Sequence, residues 1–316
     1  MAVMLRPFLD QDAAEVLAVV NSAVPFDLEG NEHWLRLRRQ FDAIRFQRRH
    51  YVAFERETQR ITGYGAIEQG PEPEQFRLLL IAALHDLGHG VGEALYERLM
   101  DDLRALKAGV VWMREHHTDQ ALLKFVTGRG FVQTRFTWDL RLSLDALDLA
   151  PLLPVVEQVA ARGIVINTVL EERRRDPQLP QRLHELYNAA QNDTYQPLSF
   201  QAFAQRMDEP AILPNSFFLA RQGEQYIGLS ALARMDAAPE QAVQQWTGVR
   251  PEFRRQGIAT ALRVCTIEAA QRLGYRTLFT YTDHSDPVML AFNEKLGFQR
   301  RFGYVTLEKT LTGASH

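Results

Sequence analysis

A single cysteine, Cys265, stands in 316 residues. No intrachain disulfide framework can form, and such a chain suits a reducing compartment such as the cytoplasm. Long apolar runs are missing too: the longest obvious one, residues 78–84, falls far short of the about 20 residues a membrane helix needs. Residues 1–12 carry Arg6, Pro7 and Asp10 where a secretory signal would have its apolar stretch. Neither sign of charge dominates, with 36 Lys and Arg against 39 Asp and Glu and a net charge of −3. No global field therefore draws the chain to nucleic acid or to an anionic membrane, and its arginine clusters act locally. A Walker loop and an early Gly-x-Gly-x-x-Gly are both absent. His85, His89, His116 and His117 have no cysteine beside them, and the i,i+4 pair lies in a Gly loop where helical spacing does not hold, so no metal is expected.

What is present centres on Val249-Arg250-Pro251-Glu252-Phe253-Arg254-Arg255-Gln256-Gly257-Ile258-Ala259-Thr260-Ala261-Leu262. The order reads as a strand end, a Pro stop, a cationic Gly loop and a helix. Backbone N–H groups at such a helix start, the macrodipole and the arginines all favour an anion such as a pyrophosphate.

The same grammar occurs twice. Gly90 and Gly257 are 167 positions apart, as are Gly130-Phe131 and Gly297-Phe298. At that offset residues 90–140 align without a gap on the second half with eleven identities, Gly90, Ala94, Leu95, Leu106, His117, Asp119, Leu123, Phe125, Gly130, Phe131 and Leu140, which indicates duplication. Upstream, Asp12 with Glu15 resembles a capping box before Val16, Val19, Val20 and Ala23, and the second copy has Leu183, Leu186, Tyr187 and Ala190 at helical spacing. Strand pairs 51–56 with 61–67 and 217–221 with 226–232 follow, the latter joined through Gln222-Gly223-Glu224. The length suits two cores. The seam falls near Asp148, giving domains 1–148 and 149–316, because Pro151 and Pro154 interrupt the pattern before the strand at Ile164-Val165-Ile166.

The spacing Arg254-x-x-Gly257-x-Ala259, followed by Asn293-Glu294-Lys295-Leu296-Gly297-Phe298, resembles the Q/R-x-x-G-x-G/A and "YEKLGF" signatures of the GNAT superfamily of acyl-CoA-dependent N-acyltransferases. The resemblance implies an α/β (α+β) fold of two tandem domains, each a mixed, mostly antiparallel sheet flanked by helices. It implies acetyl-CoA as acyl donor, held by Arg254, Arg255, Gln256, Gly257, Ile258, Ala259 and Thr260 at the pyrophosphate, by Thr247, Gly248 and Val249 along the pantetheine arm, and near Asn293. The family often has a Tyr at position 293 to protonate the departing thiolate, and Asn293 cannot do so. Tyr281 and Tyr304 are the nearest hydroxyls in sequence, with water the alternative. A general base is not evident: residues 242–247 carry no carboxylate, and Glu240, Glu252, Asp283 and His284 lie around the expected site.

Three further patterns have structural readings. Asp119 and Asp286, in His117-Thr118-Asp119 and His284-Ser285-Asp286, read as helix N-caps. Cys265 shares an apolar helical face with Leu262, Ala269 and Leu273 and reads as a buried thiol, and Arg173-Arg174-Arg175 as solvated surface. The first copy has Leu87, Gly88 and His89 where the second has Arg254, Arg255 and Gln256, so it is expected to be a degenerate lobe beside an active second one. The expected function is transfer of an acetyl group to a small-molecule amine by a monomer or homodimer, with no nucleic-acid or membrane partner. The alternatives are a protein similar to mycothiol synthase, another tandem member of the superfamily, and a non-catalytic acyl-CoA-binding regulator. Segment 192–203 and the surface between the lobes, where an acceptor would bind, carry no transferable motif.

Overall fold

A computed structural model describes residues 3–23, 47–70, 72–83, 88–191, 197–207, 211–235 and 238–311. The chain divides into two compact units: Met1–Trp138 with Asp283–Ser285 and Phe302–His316, and Asp139–Thr282 with Asp286–Arg301.

In the first unit β1 (Val3–Pro7) leads to helix α1 (Ala13–Ala23), and β2 (Arg48–Glu55), β3 (Ile61–Gln69) and β4 (Gln75–Ala82) form an antiparallel meander. Helix α2 (Val91–Ala105) then crosses over to β5 (Val110–His116), parallel to β4, and α3 (Gln120–Thr127) leads to β6 (Val132–Ser143). Alternation along β4 explains its apolar run. Phe76, Leu78 and Leu80 pack with Leu95, Leu99 and Leu103 of α2, while Leu79 faces Val16, Val19 and Val20 of α1. Both faces of the strand are covered, so neither can be polar. The box expected from Asp12 and Glu15 is not formed. The Asp12 carboxylate accepts from the Leu9 N–H (2.8 Å) and pairs with Arg6 (2.6 Å), and Glu15 accepts from the Ile61 N–H (3.4 Å); the nearby guanidinium outcompetes the helix start for Asp12.

In the second unit α4 (Leu153–Ala161) precedes β7 (Ile164–Thr168), α5 (Val169–Arg175), α6 (Leu179–Ala190), α7 (Phe200–Met207) and the hairpin of β8 (Ile212–Gln222) and β9 (Gln225–Arg234). Strand β10 (Gln241–Val249), α8 (Ile258–Arg272), β11 (Thr277–Asp283) and α9 (Pro287–Lys295) complete it. Its sheet runs β6-β11-β10-β9-β8-β7. Leu183, Leu186 and Tyr187 of α6 are buried against Phe217, Leu219 and Leu229.

The units are not the two sequence halves divided at Asp148. The last strand of the chain, β12 (Gln299–Thr310), closes the first sheet, pairing antiparallel with β5 from Tyr304↔His116 to Thr310↔Val110. Residues 139–143 of β6 belong to the second unit. Each copy thus gives the later part of its final strand to the other's unit. Repeat alignment follows chain order and cannot register which sheet a strand joins.

The duplication is visible in detail. Helices α2 and α8 start at Val91 and Ile258, at the sequence offset, and each follows a glycine with positive φ, +83° at Gly90 and +81° at Gly257. Asp119 and Asp286 each cap the following helix, accepting from the Leu122 N–H (3.0 Å) and the Met289 N–H (2.9 Å).

Candidate acyl-transfer site

Strand β10 runs parallel to β11 for only three pairs, Gln241↔Thr277 to Val243↔Phe279, and the two then part. On its other side β10 stays paired with β9 through Thr247↔Ser230, Gly248↔Leu229 and Val249↔Gly228. Among the described residues one edge of 244–249 is therefore left without a strand partner, the arrangement that accepts an extended ligand as an added strand. A bulge between Gln244 and Trp246 bends β10 where it leaves β11. The buried Gln244 side chain fixes the bulge, donating to the carbonyls of Ala231 and Trp246 (both 2.9 Å) and accepting from Thr266 Oγ1 (2.9 Å). In the first unit β4 and β5 also part after three pairs, but β3 and β4 pair from Gly63↔Ala82 to Gln69↔Phe76 without a register shift. The bulge is a feature of the second copy alone.

Beyond β10 a short turn, Pro251–Phe253, leads into the Gly loop and α8. The backbone N–H groups of Arg255, Gln256, Gly257, Ile258, Ala259 and Thr260 have no acceptor within the described chain; the next, at Ala261, donates to the Gly257 carbonyl (2.9 Å). Arg255 holds φ +62° and Gly257 φ +81°, turns that gather these donors before the helix. Backbone donors gathered in this way are the chemistry that suits an anion.

The two arginines differ. Arg254 donates from Nε to the Val249 carbonyl (3.1 Å) and from Nη2 to the Gln191 carbonyl (3.0 Å) at the end of α6, which ties the loop down. Arg255 is exposed and makes no hydrogen bond or ion pair within the described chain. At Gly257 a Cβ would lie 2.7 Å from Val155 Cγ1 of α4, so the space beside that glycine is already occupied by protein.

Residues 181–298 match the Acetyltransferase (GNAT) family. That segment is similar to a GNAT acetyltransferase domain. A curated relative, the mycothiol acetyltransferase of Geodermatophilus obscurus, is 23% identical over 245 residues, 76% of each chain. Over the whole chain the fold is similar to a tandem GNAT protein from the clavulanic acid biosynthesis pathway (16% identity, TM-score 0.74, 100% of both chains). It is also similar to a GCN5-related N-acetyltransferase from Sphaerobacter thermophilus (17% identity, TM-score 0.72, 98% of this chain and 95% of that one).

The two candidate tyrosines fall in different units. Tyr281 lies on β11, two residues past its last pair with β10, and is 45% exposed. Tyr304 belongs to the first unit, opposite His116 and with the Arg114 guanidinium 4.6 Å from its ring centre. Asn293 is fully buried, accepting from Arg263 Nη2 (3.0 Å) and donating to Thr282 Oγ1 (3.0 Å). The Cys265 thiol is pushed up to about 11, first by burial and then by Glu268, and it packs with the apolar cluster around Leu262 and Ala269. Leu273 is 55% exposed at the helix end and does not share that face. Glu252 is exposed. His85, Leu87 and residues 192–196 of the acceptor-side segment lie outside the described residues. Among those described, no group of three or more His, Cys, Asp or Glu could hold a metal, and no helix is long and apolar enough to cross a membrane.

The sequence reading missed Arg263 and Gln244. Both are buried polar residues of α8 and β10; for Arg263 the signal available was the duplication, which aligns it with Tyr96, whereas Gln244 aligns with Arg77 and offers no such contrast. A polar residue where its twin is aromatic or aliphatic marks a site acquired or kept in one copy.

Proposed function

We propose that the second unit binds acetyl-CoA and transfers its acetyl group to the amine of a small molecule, while the first unit is a degenerate copy. The observation that carries this is the run of six N–H groups from Arg255 to Thr260 without an acceptor among the described residues, set at the end of a strand whose edge opens beyond Val243. Pyrophosphate at the loop and pantetheine along Thr247, Gly248 and Val249 would bring the thioester into the gap between β10 and β11. Gln256, Gly257, Ile258, Ala259 and Thr260 act through backbone, Arg254 by fixing the loop, Arg255 by charge, and Asn293 from below the gap. Tyr281 is the hydroxyl of the same unit and the proton source we favour for the thiolate over Tyr304. The lone cysteine fits a cytoplasmic enzyme.

Release of free thiol from acetyl-CoA across a panel of amines tests the reading. Turnover with at least one small amine is expected, and no turnover with any of them, acetyl-CoA being bound, would overturn it. A second reading, acetylation of a cysteinyl pseudodisaccharide, is favoured by the mycothiol acetyltransferase relative and is tested by including a cysteinyl glycoside in the panel.

A further inference from the structure

Below the gap where β10 and β11 part, four side chains link the two strands through both flanking helices. Thr247 Oγ1 of β10 accepts from Arg263 Nε of α8 (2.6 Å), Arg263 Nη2 donates to Asn293 Oδ1 of α9 (3.0 Å), and Asn293 Nδ2 donates to Thr282 Oγ1 of β11 (3.0 Å). Arg263 is 2% exposed, and its Nη1 is buried with no acceptor among the described residues. The aromatic faces of Phe292 and Phe298, 5.6 and 5.4 Å away, are its nearest compensation. Glu294, on the same helix as Asn293, is turned to Arg300 (2.7 Å). Burial alone pushes the guanidinium down to about 9, so it remains a cation at neutral pH. Arginine is seldom buried without an anion, because the uncompensated charge is costly. The first copy has no such charge: Leu80, Tyr96, Glu115 and Val126 stand at the equivalent places.

We infer that the Nη1 of Arg263 takes the negative charge of the coenzyme sulfur as it leaves, so that thiolate departure is assisted by an ion pair at the floor of the gap. The inference rests on the proposed binding of acetyl-CoA in this unit. The amine nitrogen attacks the thioester carbon and the carbonyl electron pair moves to oxygen. The C–N bond is then complete, the carbonyl re-forms, and the C–S pair goes to sulfur beside the guanidinium. The ammonium proton passes to water, and the thiolate collects its proton from Tyr281 or solvent on release. Thr247 and Asn293 are positioning residues that aim the guanidinium.

The ionisation of enzyme-bound CoA tests this, read from thiolate ultraviolet absorbance against pH while calorimetry reports occupancy. An opposite charge at contact distance shifts a titrating group by about one to three pH units. The thiol on the wild-type chain is expected to titrate that far below free CoA, Arg263→Lys to keep most of the shift, and Arg263→Met to abolish it with CoA still bound. CoA bound to the wild type with an unshifted thiol overturns the inference and leaves the binding reading standing, and this holds even if Arg263→Met does not fold. Absence of CoA binding overturns both. A preference for succinyl-CoA over acetyl-CoA that Arg263→Met removes, with the thiol unshifted, assigns the guanidinium to an acyl carboxylate and overturns it as well.

Discussion

Arg254 holds the carbonyl of Gln191 at 3.0 Å, clamping the Gly loop to the end of α6. A cation on helix C-terminal carbonyls is also favoured by the macrodipole. Arg254→Ala is therefore expected to lower thermal stability modestly, by about 1 kcal/mol for an exposed charge-assisted contact, and to weaken acetyl-CoA binding by loosening the loop. Arg255→Ala should weaken binding with no change in melting temperature. Equal melting temperatures for the two variants would remove the clamp from the account.

Gly257 is enclosed on two counts, its φ of +81° and Val155 Cγ1 at 2.7 Å from a built Cβ. Gly90 shares the φ, at +83°, but a Cβ there meets nothing within 4 Å. Both Gly→Ala variants incur left-handed strain of about 1–2 kcal/mol. Gly257→Ala should add about 1–3 kcal/mol of overpacking against α4. Gly257→Val is thus expected to cost fold stability as well as coenzyme binding. Urea titrations showing the same loss for Gly90→Ala and Gly257→Ala would contradict this.

Tyr281 and Tyr304 make opposite predictions. Tyr281→Phe should lower kcat with KM for acetyl-CoA unchanged, by less than the factor of about 10² to 10⁴ associated with loss of a general acid, because Arg263 still receives the thiolate. Tyr304→Phe should leave kcat near wild type. A larger loss for Tyr304→Phe in steady-state assays would move the proton source to the first unit.

Glu172, buried in the second unit, accepts from Tyr226 (2.8 Å), Asn167 (2.7 Å) and Arg221 (3.1 Å). Burial raises its carboxyl, but these donors outweigh burial and hold it below the usual range. Its contribution is present above the unfolded glutamate value, about 4.3, and is lost as pH falls through the lower folded one. Tyr226→Phe removes a donor to the ionised form, so its loss of stability on acidification should begin at higher pH than in wild type. Melting curves across the acid range that stay parallel would refute this.

The Gly loops, the capping aspartates and the order of elements were legible because each follows from local chemistry repeated at one offset. The charge run from Arg173 to Arg175 was read as solvated, and its arginines are exposed, yet the glutamate just before it, Glu172, is 1% exposed and central to a buried network. Its partners Asn167, Arg221 and Tyr226, brought in by the fold, together with Arg175 of the run itself (3.4 Å), explain that burial. Exchange of β6 and β12 was likewise invisible, since both candidate sheets offer an edge to a strand of the same pattern. The bulge at Gln244 was missed because its side chain, besides the Trp246 carbonyl of its own strand, bonds to Ala231 of a neighbouring strand and Thr266 of a helix.

Calorimetric titration of the intact chain with acetyl-CoA at moderate salt tests the central claim most directly. The loop from Arg255 to Thr260, the bulged β10 and the Arg263 chain belong to one copy, which predicts a stoichiometry near one and loss of most binding in the Arg254→Ala, Arg255→Ala double variant. Two equivalent sites per chain, or undiminished binding in that variant, would contradict it.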